Sequence, residues 1–153
     1  MSDIRIFLSR PHMSGAERTH VEEAFDSNYI APLGPKVDEF EASVSAHLGG
    51  EHHCVALSSG TAALHLALRT SGIGAGDEVW VGSMTFAGGV FPVLYQDAVP
   101  RFFDVDRAHW TIDPAQVERR LHEASRGRVP RPRAIVVTDL YGQSVDLDPL
   151  ERL

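Results

Sequence analysis

The chain has 153 residues, of which 43% are hydrophobic and 23% are charged, as in an ordinary globular domain. Its 14 basic and 21 acidic residues give a formal net charge of −7, which argues against nonspecific binding to nucleic acid. The single cysteine, Cys54, excludes a disulfide framework and fits a reducing compartment. The sequence shows neither a secretory signal nor an apolar run near the ~20 residues of a membrane span. We therefore expect a cytoplasmic protein that binds neither nucleic acid nor membranes.

Two helices are predicted in the first third of the chain. Ser14 and Glu17 form a capping-box pattern, which predicts a helix that ends near Asp26. Gly49-Gly50 marks the end of a second helix. The apolar face of that helix consists of Val37, Phe40, Val44 and Leu48. The segment 28–35 between the two helices is either a shaped binding loop or an ordinary connection.

Strands and helices alternate along the remaining two thirds. Apolar runs predict four strands, at residues 55–57, 78–81, 99–105 and 134–138. Helices are predicted to begin near Thr61, Val90, Asp113 and Asp148. The helix that begins near Thr61 is apolar on most faces, so it is expected to be deeply buried. This alternation is typical of an α/β fold with a largely parallel sheet.

The turn before the helix at Thr61 carries the clearest chemical signal. Ser59, Gly60 and Thr61 are small enough for a ligand to approach the backbone, and their N–H groups lie at the positive end of the helix dipole. A phosphate is the expected ligand. The alternative is that one hydroxyl group of Ser58, Ser59 or Thr61 only caps a core helix. Phe86 follows the next predicted strand. An aromatic ring beside this phosphate-binding turn, which we call the phosphate seat, predicts a phosphorylated aromatic ligand.

Other candidate sites are weaker. His52 and His53 have no further ligands at metal-site spacing, so no metal site is predicted. Asp104 and Asp106 follow a strand, and we expect them to shape a turn rather than to act as an acid–base pair. Lys36 is the only lysine in the sequence and is predicted to be a solvated residue of an amphipathic helix.

Five stretches of the sequence share their order and residues with a known family. They are residues 7–15, 27–34, 58–68, 83–86 and 140–143. Together they resemble the DegT/DnrJ/EryC1/StrS sugar aminotransferases, and most of all the UDP-N-acetylbacillosamine-type 4-aminotransferases. The resemblance implies that residues 1–153 are the amino-terminal part of the large domain of a fold-type-I pyridoxal phosphate enzyme. That part would have an incomplete, mostly parallel sheet with flanking helices, and the full-length enzyme would be a homodimer.

The resemblance also implies a reaction and a set of binding residues. An amino group would move from glutamate to a UDP-linked 4-keto-6-deoxyhexosamine, with pyridoxal 5′-phosphate as cofactor. The backbone N–H groups of Gly60 and Thr61 would hold the cofactor phosphate, and Phe86 would stack on its ring. The entrance for the nucleotide sugar would be lined by Asn28, Tyr29, Ile30, Ala31 and Gly60.

Two of the family's catalytic residues have no counterpart in the sequence. Neither Lys36 nor any other residue matches the Schiff-base lysine or the acidic partner of the cofactor nitrogen, and Asp139, where many relatives have histidine, receives no catalytic role. No catalytic residue is assigned, so the short chain is expected to be inactive alone. Strands of the family's sheet are also missing, so we expect exposed apolar faces, unpaired strand edges and poor stability or association.

Two alternatives to the aminotransferase interpretation stay open. The chain could be a noncatalytic module that binds a phosphate-bearing ligand or pairs with a full-length relative. It could also belong to another fold-type-I pyridoxal phosphate enzyme, such as a sugar dehydratase.

Overall fold

The computed structural model describes residues 11–152, and the chain divides into two units between Ala56 and Leu57. The start of the motif at residues 7–15 lies outside the described residues. The first unit contains helices α1 (Ala16–Asp26) and α2 (Pro35–His47). The second unit contains helices α3 (Gly60–Thr70), α4 (Phe91–Tyr95), α5 (Pro114–Ser125) and α6 (Asp148–Glu151). It also contains a 3₁₀ helix (Ala87–Gly89) and strands β1 (Glu78–Gly82), β2 (Val99–Phe103) and β3 (Ala134–Val136).

The cap of α1 forms largely as predicted. The Glu17 carboxylate accepts the N–H groups of Ser14 and Gly15, each at 2.8 Å. These backbone hydrogen bonds, the one from Ser14 first, lower the pKa of Glu17 from 4.5 to about 2. Ser14 Oγ accepts the N–H of Ala16, whereas a complete capping box would use the N–H of Glu17. The carboxylate therefore makes the predicted half of the capping box.

Apolar side chains of the first unit face solvent. None of the described residues from 11 to 56 is buried. Val21 and Phe25 of α1 and Phe40 of α2 are large apolar side chains that are all more than half exposed. This confirms the expectation that the chain exposes apolar faces. Among the described residues, no helix is both long enough and apolar enough to cross a membrane.

The second unit is built on a parallel sheet of three strands. The central strand, β1, pairs with β2 along one edge and with β3 along the other, which gives the strand order β2-β1-β3. All five residues of β1 are buried, as in a parallel strand that is covered on both faces. The predicted α/β class with a parallel sheet is thus confirmed.

Two apolar clusters cover the two faces of the sheet. Val79 and Val81 pack with Leu68 of α3 in one cluster. Trp80 packs with Val117 of α5 in the other. Because successive side chains of a strand point to opposite faces, β1 contributes to both clusters. The central strand β1 is therefore packed against helices on both faces of the sheet.

Two expectations about the segment around α3 are wrong. Residues 55–57 form no strand, and Val55 and Leu57 are 65% and 42% exposed. A strand needs a hydrogen-bonded neighbour, and no described residue pairs with this segment. Helix α3 begins where predicted but buries only Leu68, because the described residues cover only one side of it.

Leu68 and Leu66 of α3 provide a test of this packing, since they are 4% and 40% exposed. We expect Leu68→Ala to lower the free energy of unfolding of the second unit by about 2–5 kcal/mol, because it removes buried methyl groups and leaves a cavity. Leu66→Ala should cost less than about 1 kcal/mol. Urea unfolding followed by tryptophan fluorescence measures both changes. Equal losses would contradict the packing of α3 described above.

Candidate functional site

The first turn of α3 has two free backbone donors. Ser59 precedes the helix in an extended conformation, and its Oγ accepts the N–H of Ala62 at 3.1 Å. The hydrogen bonds of the helix begin with the N–H of Ala63, which donates to Ser59 O at 3.0 Å. The N–H groups of Gly60 and Thr61 therefore have no acceptor among the described residues. Ser59 thus caps the helix, and the same turn leaves two donors available to an anion.

Gly88 brings Thr61 and Phe86 together. A β-carbon placed on Gly88 would lie 2.6 Å from Thr61 Oγ1 and 3.0 Å from Cδ1 of Phe86. Both side chains therefore lie directly against this glycine, which belongs to the 3₁₀ helix that follows Phe86. A β-carbon on Gly60, by contrast, would meet no atom within 4 Å. Two of the predicted cofactor-binding residues are thus neighbours, and the space beside Gly60 is open.

Phe86 is 81% exposed although its side chain is large and apolar. An exposed ring beside two free N–H groups and the Thr61 hydroxyl can stack on a flat ligand while the donors bind an anionic group of that ligand. The arrangement is therefore suited to an aromatic ring that carries a phosphate.

The residues predicted to line the sugar-nucleotide entrance lie in the first unit, between α1 and α2. Asn28 has a left-handed backbone, with φ 54°. The ring of Tyr29 lies on Gly34, where a β-carbon would collide with it. Tyr29 and Ala31 line a cavity of about 240 Å³, whereas Asn28 and Ile30 are exposed outside it. The loop therefore has a shape set by its own contacts, and its binding role stays a prediction.

Lys36 is engaged in ion pairs on the surface of the first unit. Its Nζ contacts the carboxylates of Glu23 and Glu39, the latter at 3.0 Å, and lies 3.3 Å from His20 Nδ1. The hydrogen bonds to Glu23 and Glu39 raise the pKa of Lys36. A nucleophilic amine needs a lowered pKa, so this lysine has the opposite electrostatic environment. The structure thus places Lys36 in surface ion pairs, and its lack of a catalytic role stays a prediction.

The carboxylate of Asp106 shapes a turn, as predicted, whereas that of Asp104 contacts only the N–H of the next residue. Asp106 Oδ1 accepts the N–H groups of Ala108 at 2.7 Å and His109 at 2.9 Å. Asp104 Oδ1 accepts the N–H of Val105 at 2.8 Å. Between residues 11 and 152, no group of three or more His, Cys, Asp or Glu side chains is placed to hold a metal ion.

Thr85 and Thr138 belong to strand ends whose small and polar residues predict a ligand site, but the sequence predicted no individual role for them or for Gly89. A β-carbon on Gly89 would lie 2.8 Å from Thr85 Oγ1, and Thr85 Oγ1 lies 3.0 Å from Thr138 Oγ1. The available signal was the position of small and polar residues at the ends of predicted strands. It could not show that Thr85 and Thr138, which are 53 positions apart, are in contact.

Comparison with known proteins identifies the family. The model of the DegT/DnrJ/EryC1/StrS aminotransferase family matches residues 11–153. The chain belongs to this family. EpsN of Bacillus subtilis (strain 168), named as a pyridoxal phosphate-dependent aminotransferase, is 44% identical over 149 residues, which cover 97% of this chain and 38% of EpsN. GDP-perosamine synthase of Caulobacter vibrioides is 38% identical over 151 residues, which cover 98% of this chain and 38% of the synthase.

The fold agrees with the family. The crystal structure of a DegT DnrJ EryC1 StrS aminotransferase from Brucella abortus superposes with a TM-score of 0.74 at 33% identity, over 92% of this chain and 40% of that one. The chain thus spans well under half the length of the relatives it matches. Its fold is that of the fold-type-I aminotransferases, and the cofactor of the family is pyridoxal phosphate, as the resemblance implied.

The described residues fit this cofactor. The N–H groups of Gly60 and Thr61 have no acceptor of their own and match the needs of a phosphate. The exposed ring of Phe86 matches the needs of a pyridine ring. Their assignment as the cofactor-binding residues stays a prediction.

Substitution of Gly88 tests whether Thr61 and Phe86 act together. We expect Gly88→Ala to weaken the binding of pyridoxine 5′-phosphate, an analogue without an aldehyde, at least about fivefold, because overpacking of about 1–3 kcal/mol displaces one of the two side chains. Isothermal titration calorimetry measures the affinity. Gly74→Ala is the matched control, since a β-carbon there meets nothing within 4 Å. Equal affinities in both variants would contradict the arrangement.

Proposed function

We propose that this chain provides the phosphate seat and the stacking ring of a pyridoxal phosphate-dependent aminotransferase that acts on a nucleotide-linked sugar. The observation that carries the proposal is the pair of free N–H groups at Gly60 and Thr61, next to the exposed ring of Phe86. Residues 1–153 would be the amino-terminal part of the cofactor-binding domain. The protein would work in the cytoplasm as a homodimer.

Each residue of the proposed site has a distinct task. Gly60 and Thr61 would donate their backbone N–H groups to the phosphate, where the partial positive charge of the α3 terminus adds about 0.3–1 kcal/mol. Phe86 would hold one face of the cofactor ring and exclude water from it. Pyridoxal phosphate, when bound, supplies the electron-withdrawing ring that allows an amino group to be exchanged between an amino acid and a keto sugar.

We infer that the substrate is a UDP-linked 4-keto-6-deoxyhexosamine and that glutamate is the amino donor. The sugar part of this inference is supported by the family and by a relative whose name is GDP-perosamine synthase. The loop with Asn28, Tyr29, Ile30 and Ala31 would contact the nucleotide sugar, and it offers an amide and an aromatic ring beside a cavity. Since that relative's name contains GDP, UDP-linked and GDP-linked ligands have to be compared directly.

The phosphate seat can be tested with ligands that lack the reactive aldehyde. Pyridoxine 5′-phosphate is expected to bind saturably and at least about tenfold more tightly than pyridoxine, because only the former offers an anion to the free N–H groups. Phe86→Ala should weaken this binding about five- to tenfold through the lost stacking. Phe102→Ala, which truncates another exposed phenylalanine, on β2, is the control. Equal affinities for the two ligands would refute the phosphate seat.

The role of Lys36 can be tested by chemical trapping. The chain is incubated with pyridoxal phosphate, reduced with borohydride and analysed by peptide mass spectrometry. We expect no preferential adduct at Lys36, since its ion pairs with Glu23 and Glu39 keep the amine charged. Lys36→Arg, which keeps the charge, sets the background. A stoichiometric adduct at Lys36, together with turnover of a keto-sugar nucleotide, would make the 153-residue chain an enzyme in its own right.

A further inference from the structure

The ends of β1 and β3 are joined by two hydroxyl groups. Thr85 follows β1, Thr138 follows β3, and their Oγ1 atoms lie 3.0 Å apart. The two strands pair in parallel up to Val81 and Val136, so the loops that follow them leave the same edge of the sheet. Both threonines are half-buried. The contact is therefore shielded from full competition by water.

The hydrogen bond between the two hydroxyl groups links Thr138 to the loop after β1. Either hydroxyl group can donate in this contact, so the link exists in both cases. Thr85 Oγ1 also lies 3.4 Å from the carbonyl oxygen of Phe86, which is long for a hydrogen bond from a hydroxyl group. The restraint on the loop therefore comes from the 3.0 Å contact between Thr138 and Thr85.

The same loop has little freedom around Thr85. A β-carbon on Gly89 would lie 2.8 Å from Thr85 Oγ1, so the main chain of Gly89 passes directly over the hydroxyl group. Threonine is branched at Cβ and has few side-chain rotamers. The ring of Phe86, by contrast, is mostly exposed and is fixed chiefly by the main chain that carries it. The position of that main chain therefore depends on how Thr85 is held.

We propose that Thr138 is a positioning residue for Phe86. Through Thr85 it fixes the loop of residues 83–89 and thereby the ring on which the cofactor would stack. This inference rests on the function proposed above, because the position of the ring affects binding only if the cofactor stacks on it. Thr138 itself contacts no ligand in this scheme and acts only through Thr85.

The test compares three variants of the chain. Thr138→Val removes the hydroxyl group at nearly constant volume, and Thr138→Ser keeps the hydroxyl group. Thr70→Val is the matched control, because the Thr70 hydroxyl donates to Leu66 O at 2.9 Å within α3. If Thr138→Val melts at a lower temperature than the control, Thr138→Ala replaces it. The two measurements are amide hydrogen exchange of residues 83–89 without ligand and the affinity for pyridoxine 5′-phosphate.

We expect Thr138→Val to accelerate exchange in residues 83–89 and to weaken binding, each about three- to tenfold, as for the loss of one hydrogen bond. Thr138→Ser should restore both to within about twofold of the wild type. Unchanged exchange and affinity in Thr138→Val, or no restoration by Thr138→Ser, would overturn the positioning role. A third outcome separates the two proposals. If Thr138→Val accelerates exchange but the wild-type chain does not bind pyridoxine 5′-phosphate, the proposed function is overturned and the hydroxyl link is supported.

Discussion

The pairing of β1 with a strand on each edge is the constraint on which the candidate site depends. All five residues of β1 are buried. The carboxylate of Glu78, at the start of this strand, accepts a hydrogen bond from Trp80 Nε1 at 2.7 Å and another from Arg101 at 3.2 Å. A buried carboxylate without donors would cost several kcal/mol, and these two bonds supply the donors. Ser83, directly after β1, donates its N–H to Phe103 O at 2.7 Å. The loop that carries Phe86 therefore starts from a fixed point.

The candidate site combines three physical effects that come from separate elements. The start of α3 contributes two unpaired donors and the positive end of a helix dipole. The loop after β1 contributes an exposed ring whose neighbour, Gly88, leaves no room for a side chain. The end of β3 contributes a hydroxyl group that restrains that loop. A phosphate and an aromatic ring on one small molecule would use all three.

The structural features that depend only on residues close together in the sequence could be predicted from local signals. The Glu17 cap, the start of α3 and the buried strand β1 follow from capping residues and apolar runs. The strand at residues 55–57 was predicted wrongly, because an apolar run becomes a strand only beside a partner. The contacts of Gly88 and Thr138 could not be predicted at all. They depend on the strand order β2-β1-β3, which determines the loops that meet at one edge.

The lack of any buried side chain among residues 11–56 has a consequence for how this stretch would behave in the 153-residue chain on its own. Segments without buried apolar contacts open at little cost in free energy, whereas a core such as that around β1 opens only with the whole unit. Proteases and chaperones would therefore meet α1 and α2 long before they meet the sheet. The loop with Tyr29 lies between these two amphipathic helices, so it would open together with them.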